Sequence, residues 1–152
     1  GFTLRAALDA VGAEVQVVVA EMSPQVVAWN RGVLGELAGA PLADPRVRVE
    51  VTDVARLFIS EAPWNAVMLD ADNGPVAMSG GINQGLYSPG TLETLRHALA
   101  PGGRLAIWSA SDAPEFEKLL RRAGFTCERH RVAARGKGRG GAHTVFVGRV
   151  PR

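Results

Sequence analysis

Short runs of apolar, largely β-branched residues punctuate this chain, each closed by an acid or a small polar residue. Residues 14–20 read Glu-Val-Gln-Val-Val-Val-Ala and stop at Glu21; residues 46–51 stop at Thr52-Asp53; residues 64–69 stop at Asp70; residues 104–109 stop at Ser109. Runs of this length and composition predict strands buried on both faces. Between them apolar residues recur at helical spacing. Leu4, Ala7, Leu8 and Val11 mark a helix over residues 3–11 that Gly12 stops. Val26, Val27, Val33, Leu34 and Leu37 mark another that runs to about Leu37, with Ser23 as cap and Pro24 in the first turn. A short helical stretch reaches Ile59, a further helix spans residues 91–99, and Asp112-Ala-Pro-Glu caps one that reaches Ala123 and ends at Gly124. Residues 125–133 alternate weakly as a strand, residues 134–141 form a Gly-rich basic turn, and residues 143–150 return as the last strand.

Strands and helices in alternation predict right-handed crossovers and a parallel sheet with helices on both faces. The last two strands are joined by too few residues for a crossover, so they are expected to pair antiparallel. The expected fold class is α/β: a doubly wound, mainly parallel sheet with a C-terminal antiparallel hairpin strand, in one domain over residues 1–152. Gly1-Phe2-Thr3-Leu4-Arg5 already reads as a helix start with no strand before it to feed it. The first strand of the sheet is therefore expected to be missing and the domain to be N-terminally incomplete, a piece that is marginal alone or associates to cover its sheet.

Composition narrows the partners. The chain has 152 residues, 47% hydrophobic and 21% charged, which suits one globular domain with a sizeable core. A net charge of +2 is too small for a nucleic-acid footprint; the basic residues Arg129, Arg131, Arg135, Lys137 and Arg139 cluster near the end, and the run Arg135-Gly-Lys-Gly-Arg-Gly-Gly141 reads as a solvated hairpin tip, with a contact to RNA or an anionic partner as the alternative. The lone Cys127 excludes an intrachain disulfide and a cysteine-based metal site and suits a reducing cytoplasm. His97, His130 and His143 lack metal-ligand spacing, so no metal is expected. No apolar run approaches the ~20 residues that span a bilayer, so no membrane association is expected. Trp29, Trp64 and Trp108 read as packing residues, Trp108 lying at a strand end.

The acids at the strand ends carry the candidate chemistry. In a parallel sheet those ends share one edge, which places Glu21, Asp53 and Asp70 along one crevice. A carboxylate after an early strand of a nucleotide-binding unit can accept two hydrogen bonds from ribose hydroxyls, a role that falls to Glu21. Met22 can lie against an adenine ring. Asp53, with Val54 beside it, can meet the adenine amino group. The alternative is that Glu21 and Asp53 merely cap the helices that follow. Residues 71–90 form a long loop carrying Asn73, Asn83 and Tyr87, and loops of that length in compact domains are usually functional or mobile.

Several of these segments resemble a known family. Gly1-Phe-Thr-Leu-Arg5 is similar to the tail of a Gly-x-Gly-x-Gly-x-x-Leu-Arg nucleotide loop. Val17-Val-Val-Ala-Glu21, Val51-Thr-Asp53, Leu69-Asp70 and Leu99-Ala-Pro-Gly-Gly-Arg-Leu105 resemble successive motifs of Rossmann-like S-adenosylmethionine-dependent methyltransferases. Leu69-Asp-Ala-Asp-Asn-Gly-Pro75 followed by Leu86-Tyr87-Ser88 is similar to the spermidine synthase (polyamine aminopropyltransferase) branch. The resemblance implies a cytoplasmic homodimer that moves an aminopropyl group from decarboxylated S-adenosylmethionine to a small amine. It implies Gly1 as the last glycine of the nucleotide loop and Glu21, Met22, Asp53 and Val54 around the nucleoside. Asp70 would lie beside the sulfonium and the incoming amine, Asp72 would bind its ammonium, and Tyr87 would orient it. The acidic loop, Asp-Ala-Asp-Asn-Gly-Pro, is shorter than the Asp-x-x-Asp-Pro-x-Gly-Pro of aminopropyltransferases, which leaves two alternatives open. These are methyl transfer from S-adenosylmethionine to an unknown acceptor and a non-catalytic nucleotide-binding relative.

Overall fold

A computed structural model describes residues 1–71, 74–75, 84–133 and 141–152. It divides into two compact units, residues 1–57 and 58–152. The first contains α1 (Phe2–Ala10), β1 (Val17–Glu21), α2 (Pro24–Arg31), two 3-10 turns (Glu36–Ala38 and Pro41–Ala43) and β2 (Val47–Val51); α3 (Val54–Ser60) begins at its end. The valine-rich β1 pairs parallel with β2, from Val17 against Val47 to Glu21 against Val51.

Helix α2 starts as its sequence dictates: Pro24 occupies the first turn and Ser23 Oγ accepts a hydrogen bond from Val26 N at 3.3 Å. It ends at Arg31, short of the expected Leu37. Gly32 N donates to the Ala28 and Trp29 carbonyls, Leu34 N reaches Trp29 O at 2.9 Å, and Gly35 N turns to Gly32 O. The four-residue hydrogen-bond repeat is thereby lost, so Leu34 lies in a turn and Leu37 in a 3-10 turn.

A forked ion pair ties this unit together. Arg46 Nε and Nη2 donate to the two Asp44 oxygens at 3.0 and 2.9 Å, while Nη1 donates to the carbonyls of Leu8, Val11 and Gly12 at the end of α1 and just past it. The side-chain hydrogen bond from Arg46 holds the Asp44 carboxyl down at about 2, against an ordinary 3.8. A depressed carboxylate contributes stability that is present above its unfolded value and lost as pH falls through its folded one. Asp44→Asn is therefore expected to melt lower than the parent at neutral pH. In thermal melts followed by circular dichroism, that gap should shrink from about pH 4 downward and close near pH 2. A gap that persists unchanged at pH 2 contradicts the assignment.

The second unit contains β3 (Trp64–Leu69), a 3-10 turn (Gln84–Tyr87), α4 (Pro89–Ala98), β4 (Leu99–Ser109), α5 (Pro114–Arg122), β5 (Thr126–Ala133) and β6 (Ala142–Arg149). The sheet order is β3-β4-β6-β5, with β3 and β4 parallel and β6 antiparallel to both of its neighbours. The C-terminal antiparallel strand expected from the short connection is thus present, inserted between β4 and β5. Strand β4 begins at Leu99, ahead of the expected Arg104. Leu99 pairs with Trp64 and Arg104 with Ala66, so Ala100–Gly103 forms a bulge opposite Asn65. A side chain at Gly103 would meet Ala100 O at 2.7 Å, which is why the bulge closes on glycine.

One face of this sheet carries Leu69, Leu105, Ile107, Phe146 and Cys127, all buried, together with Leu92 and Leu95 of α4 and Phe116 and Leu120 of α5. Phe116 meets Phe146 edge-on with ring centroids 5.4 Å apart. Asp112, expected to cap α5, does not: the cap position is Ala113 with no side-chain bond, and Asp112 Oδ1 instead accepts from Arg129 Nη1 at 2.8 Å. Burial pushes the Cys127 thiol up, which makes it a packing group and not a nucleophile.

Candidate active site

In the first unit, Glu21 ends β1 and Asp53 follows β2, and the Glu21–Val51 register puts both acids at the carboxyl edge of the pair. Thr52 N donates to Glu21 O at 3.1 Å. Asp53 does the capping that the sequence left as an alternative, whereas α2 is capped by Ser23 and Glu21 holds the backbone of that cap residue. Glu21 Oε1 accepts from Ser23 N at 2.8 Å, and Asp53 Oδ1 accepts from Ala55 N at 2.9 Å. A carboxylate has about four lone-pair positions, so a cap on one oxygen orients the group without exhausting it. Met22, next to Glu21 in sequence, is 65% exposed. Val54 opens α3, half-buried. Gly1 is the N-cap of α1, and a side chain there would press on Ala38 Cβ at 3.0 Å and Asn30 Oδ1 at 3.1 Å.

In the second unit, Asp70 lies one residue past the last paired positions of β3 and β4, Leu69 and Ile107. Strand alternation carries Asp70 to the same face as Met68, Ala106 and Trp108, opposite the buried core face. Tyr87 closes the 3-10 turn that precedes α4. Its ring is 1% exposed and stands edge-on to Phe116, and its hydroxyl donates to Ala71 O at 3.2 Å. That hydrogen bond ties the 3-10 turn to the residue after Asp70. Asp72, Asn73 and Asn83 lie outside the described residues.

The return of the loop to β4 was not legible in the sequence. Gly74 has φ +73°, and a Cβ there would fall 2.4 Å from Trp108 O and 2.8 Å from Ser109 Cα. The backbone at Gly74 is thus pressed directly onto the end of β4. Ser109, fully buried, donates from Oγ to Ser111 O at 2.8 Å and fixes the exit of that strand. Trp108 leans on His143 of β6 with ring centroids 4.8 Å apart and planes tilted by 46°. Sequence reasoning set both residues aside. They lie far apart along the chain, and only the strand order makes them neighbours.

Several solved structures superpose on the chain over nearly its whole length. A spermidine synthase in complex with the transition-state analogue AdoDATO gives a TM-score of 0.76 at 14% identity, covering 98% of this chain and 51% of that one. The N-methyltransferase NodS from Bradyrhizobium japonicum WM9, in complex with S-adenosyl-L-homocysteine, gives 0.65 at 15% identity, covering 100% and 76%. TrmN from Thermus thermophilus gives 0.63 at 19% identity, covering 96% and 40%. The fold is that of the Rossmann-like methyltransferases. The chain spans about half of the spermidine synthase and 40% of TrmN. No family model and no curated protein match its sequence. Among the described residues, no helix is long and apolar enough to cross a membrane.

Proposed function

We propose that the chain is the adenosyl-sulfonium-binding part of a transferase that delivers a carbon group to an amine, with aminopropyl transfer from decarboxylated S-adenosylmethionine to a polyamine as the preferred reaction. The observation that carries the reading is the Glu21 carboxylate, held at the end of β1 by Ser23 N in a chain with this fold. A ribose diol presents two donors that suit one carboxylate. Asp53 then meets the adenine amino group, and Met22 and Val54 lie along the base.

An adenosyl sulfonium supplies an electrophilic carbon whose bond to sulfur breaks as the bond to nitrogen forms, leaving a neutral thioether. Such a displacement needs alignment and charge placement more than covalent help. Asp70 accepts the proton that the attacking amine sheds, so that the nitrogen lone pair is available. Asp72 carries a second negative charge for a cationic acceptor. The same reading assigns a small amine as substrate and a homodimer as the assembly. Methyl transfer from S-adenosylmethionine is the second reading, favoured by the likeness to the N-methyltransferase NodS.

Calorimetric titration with S-adenosylmethionine, its decarboxylated form and methylthioadenosine tests the proposal. At least one is expected to bind, and Glu21→Gln is expected to weaken it by about 10-fold or more, the scale of a charge-assisted hydrogen bond. Preference for the decarboxylated form supports aminopropyl transfer, and preference for S-adenosylmethionine supports methyl transfer. No heat from any of the three at millimolar concentration rejects the nucleoside site.

A further inference from the structure

We propose that Trp108 and His143 form an amine-binding subsite beside Asp70, the indole face receiving an ammonium group and His143 Nδ1 accepting one of its N–H bonds. This rests on the transferase reading above and deepens it by naming the acceptor side.

Three independent features point to the same ligand chemistry. The first is an orphan: His143 Nδ1 is buried with no hydrogen-bond partner. A neutral imidazole protonated on Nε2 presents Nδ1 as an acceptor. An acceptor shut off from water and from protein donors is a standing loss of free energy, recovered when a ligand supplies the donor. The imidazole's outer torsion is broad and two-fold, so the ring can turn toward an arriving N–H.

The second is the ring contact, which leans that imidazole on Trp108 with centroids 4.8 Å apart. Tryptophan is the best aromatic face for a cation. The third is register. Trp108 pairs with Val145 on β6, and Asp70 stands next to Trp108 on the β3 side, one residue beyond Leu69 and Ile107. Asp70, the indole and His143 therefore share one face at the carboxyl edge of one sheet. The carboxylate repels an anionic ligand and attracts a cationic one. A hydroxyl can donate a hydrogen bond but carries no positive charge for the indole face and the carboxylate, whereas an ammonium offers both.

Gly74 explains how the subsite is kept in place. Its backbone lies against Trp108 O and Ser109 Cα, which fixes the end of β4 and the segment after Asp70 relative to one another.

The test titrates the full chain with 1,4-diaminobutane in the presence of methylthioadenosine, followed by tryptophan fluorescence and calorimetry, with the neutral isostere 1,4-butanediol as control. A saturable fluorescence change is expected with the diamine, and at least ~10-fold weaker binding with the diol. Trp108→Phe should abolish the optical change. His143→Phe should weaken the diamine by ~10-fold or more while the melting temperature holds, because it removes an unsatisfied polar atom from an aromatic contact. His143→Asn, which keeps an acceptor near Nδ1, should restore most of the affinity. The proposal is overturned if His143→Phe binds the diamine as the parent does, or if the diol binds equally well. Methylthioadenosine titrated alone separates the two readings. Nucleoside binding without diamine binding rejects the subsite and leaves the nucleoside site standing. His143-dependent diamine binding without nucleoside binding upholds the subsite and rejects the transferase. Absence of both rejects both.

Discussion

Asp70→Asn is expected to lower turnover by ~100-fold or more, the scale of a positioned general base, while leaving the affinity for adenosyl ligands nearly unchanged. The substitution keeps the side chain's shape and removes its charge. Asp70 is exposed, beyond the end of β3 and outside regular structure. If Asp70 only supports the loop that follows, the outcome reverses: the melting temperature drops and the rate is spared. Initial rates with 1,4-diaminobutane under saturating decarboxylated S-adenosylmethionine, with melts of both proteins alongside, distinguish the two. Equal rates for Asp70→Asn and parent remove Asp70 from the chemistry. Retained rates at low amine with a lost plateau would instead give it a release step.

What the sequence could show depended on how local the cause was. Strands β1 and β3 are legible because Val17-Val-Val and Val67-Met-Leu are apolar runs closed by acids, and each signal lies within a few residues. The start of α2 is legible for the same reason, since Ser23 and Pro24 act within one turn. Its end is not. Val33, Leu34 and Leu37 keep a helical period while the backbone hydrogen bonds around Gly32 have already left the helix, and periodicity does not report a competing turn. Asp112 reads as a cap until Arg129, on a different strand, claims its carboxylate. The positions of Glu21 and Asp53 at their strand ends were legible because both belong to strand-to-helix turns. The burial of Tyr87 against Phe116 was not legible, since it is a tertiary fact. Trp108 and His143 form the extreme case, because their contact exists only through the insertion of β6 beside β4.

Gly74 is the residue whose replacement is expected to do most damage for its size. A Cβ there falls 2.4 Å from Trp108 O and 2.8 Å from Ser109 Cα, both backbone atoms that no side-chain rotation can clear. The conformation, φ +73°, adds about 1–2 kcal/mol for an L-residue, and overpacking a tight contact adds roughly 1–3 kcal/mol. Gly74→Ala is therefore expected to cost about 2–5 kcal/mol locally, which the chain relieves by lifting the segment after Asp70 off β4. Turnover should fall by ~10-fold or more as Asp70 and Trp108 lose their common frame, because misplacement of about 1 Å is that expensive in a positioned reaction. Gly74→Asn separates the two causes. Asparagine tolerates the left-handed region but carries the same Cβ, so if the close approach to β4 outweighs the backbone conformation, its loss is as large as that of alanine. Recovery of activity and melting temperature in Gly74→Asn would show that the backbone conformation, and not the contact with β4, is what glycine serves at this position.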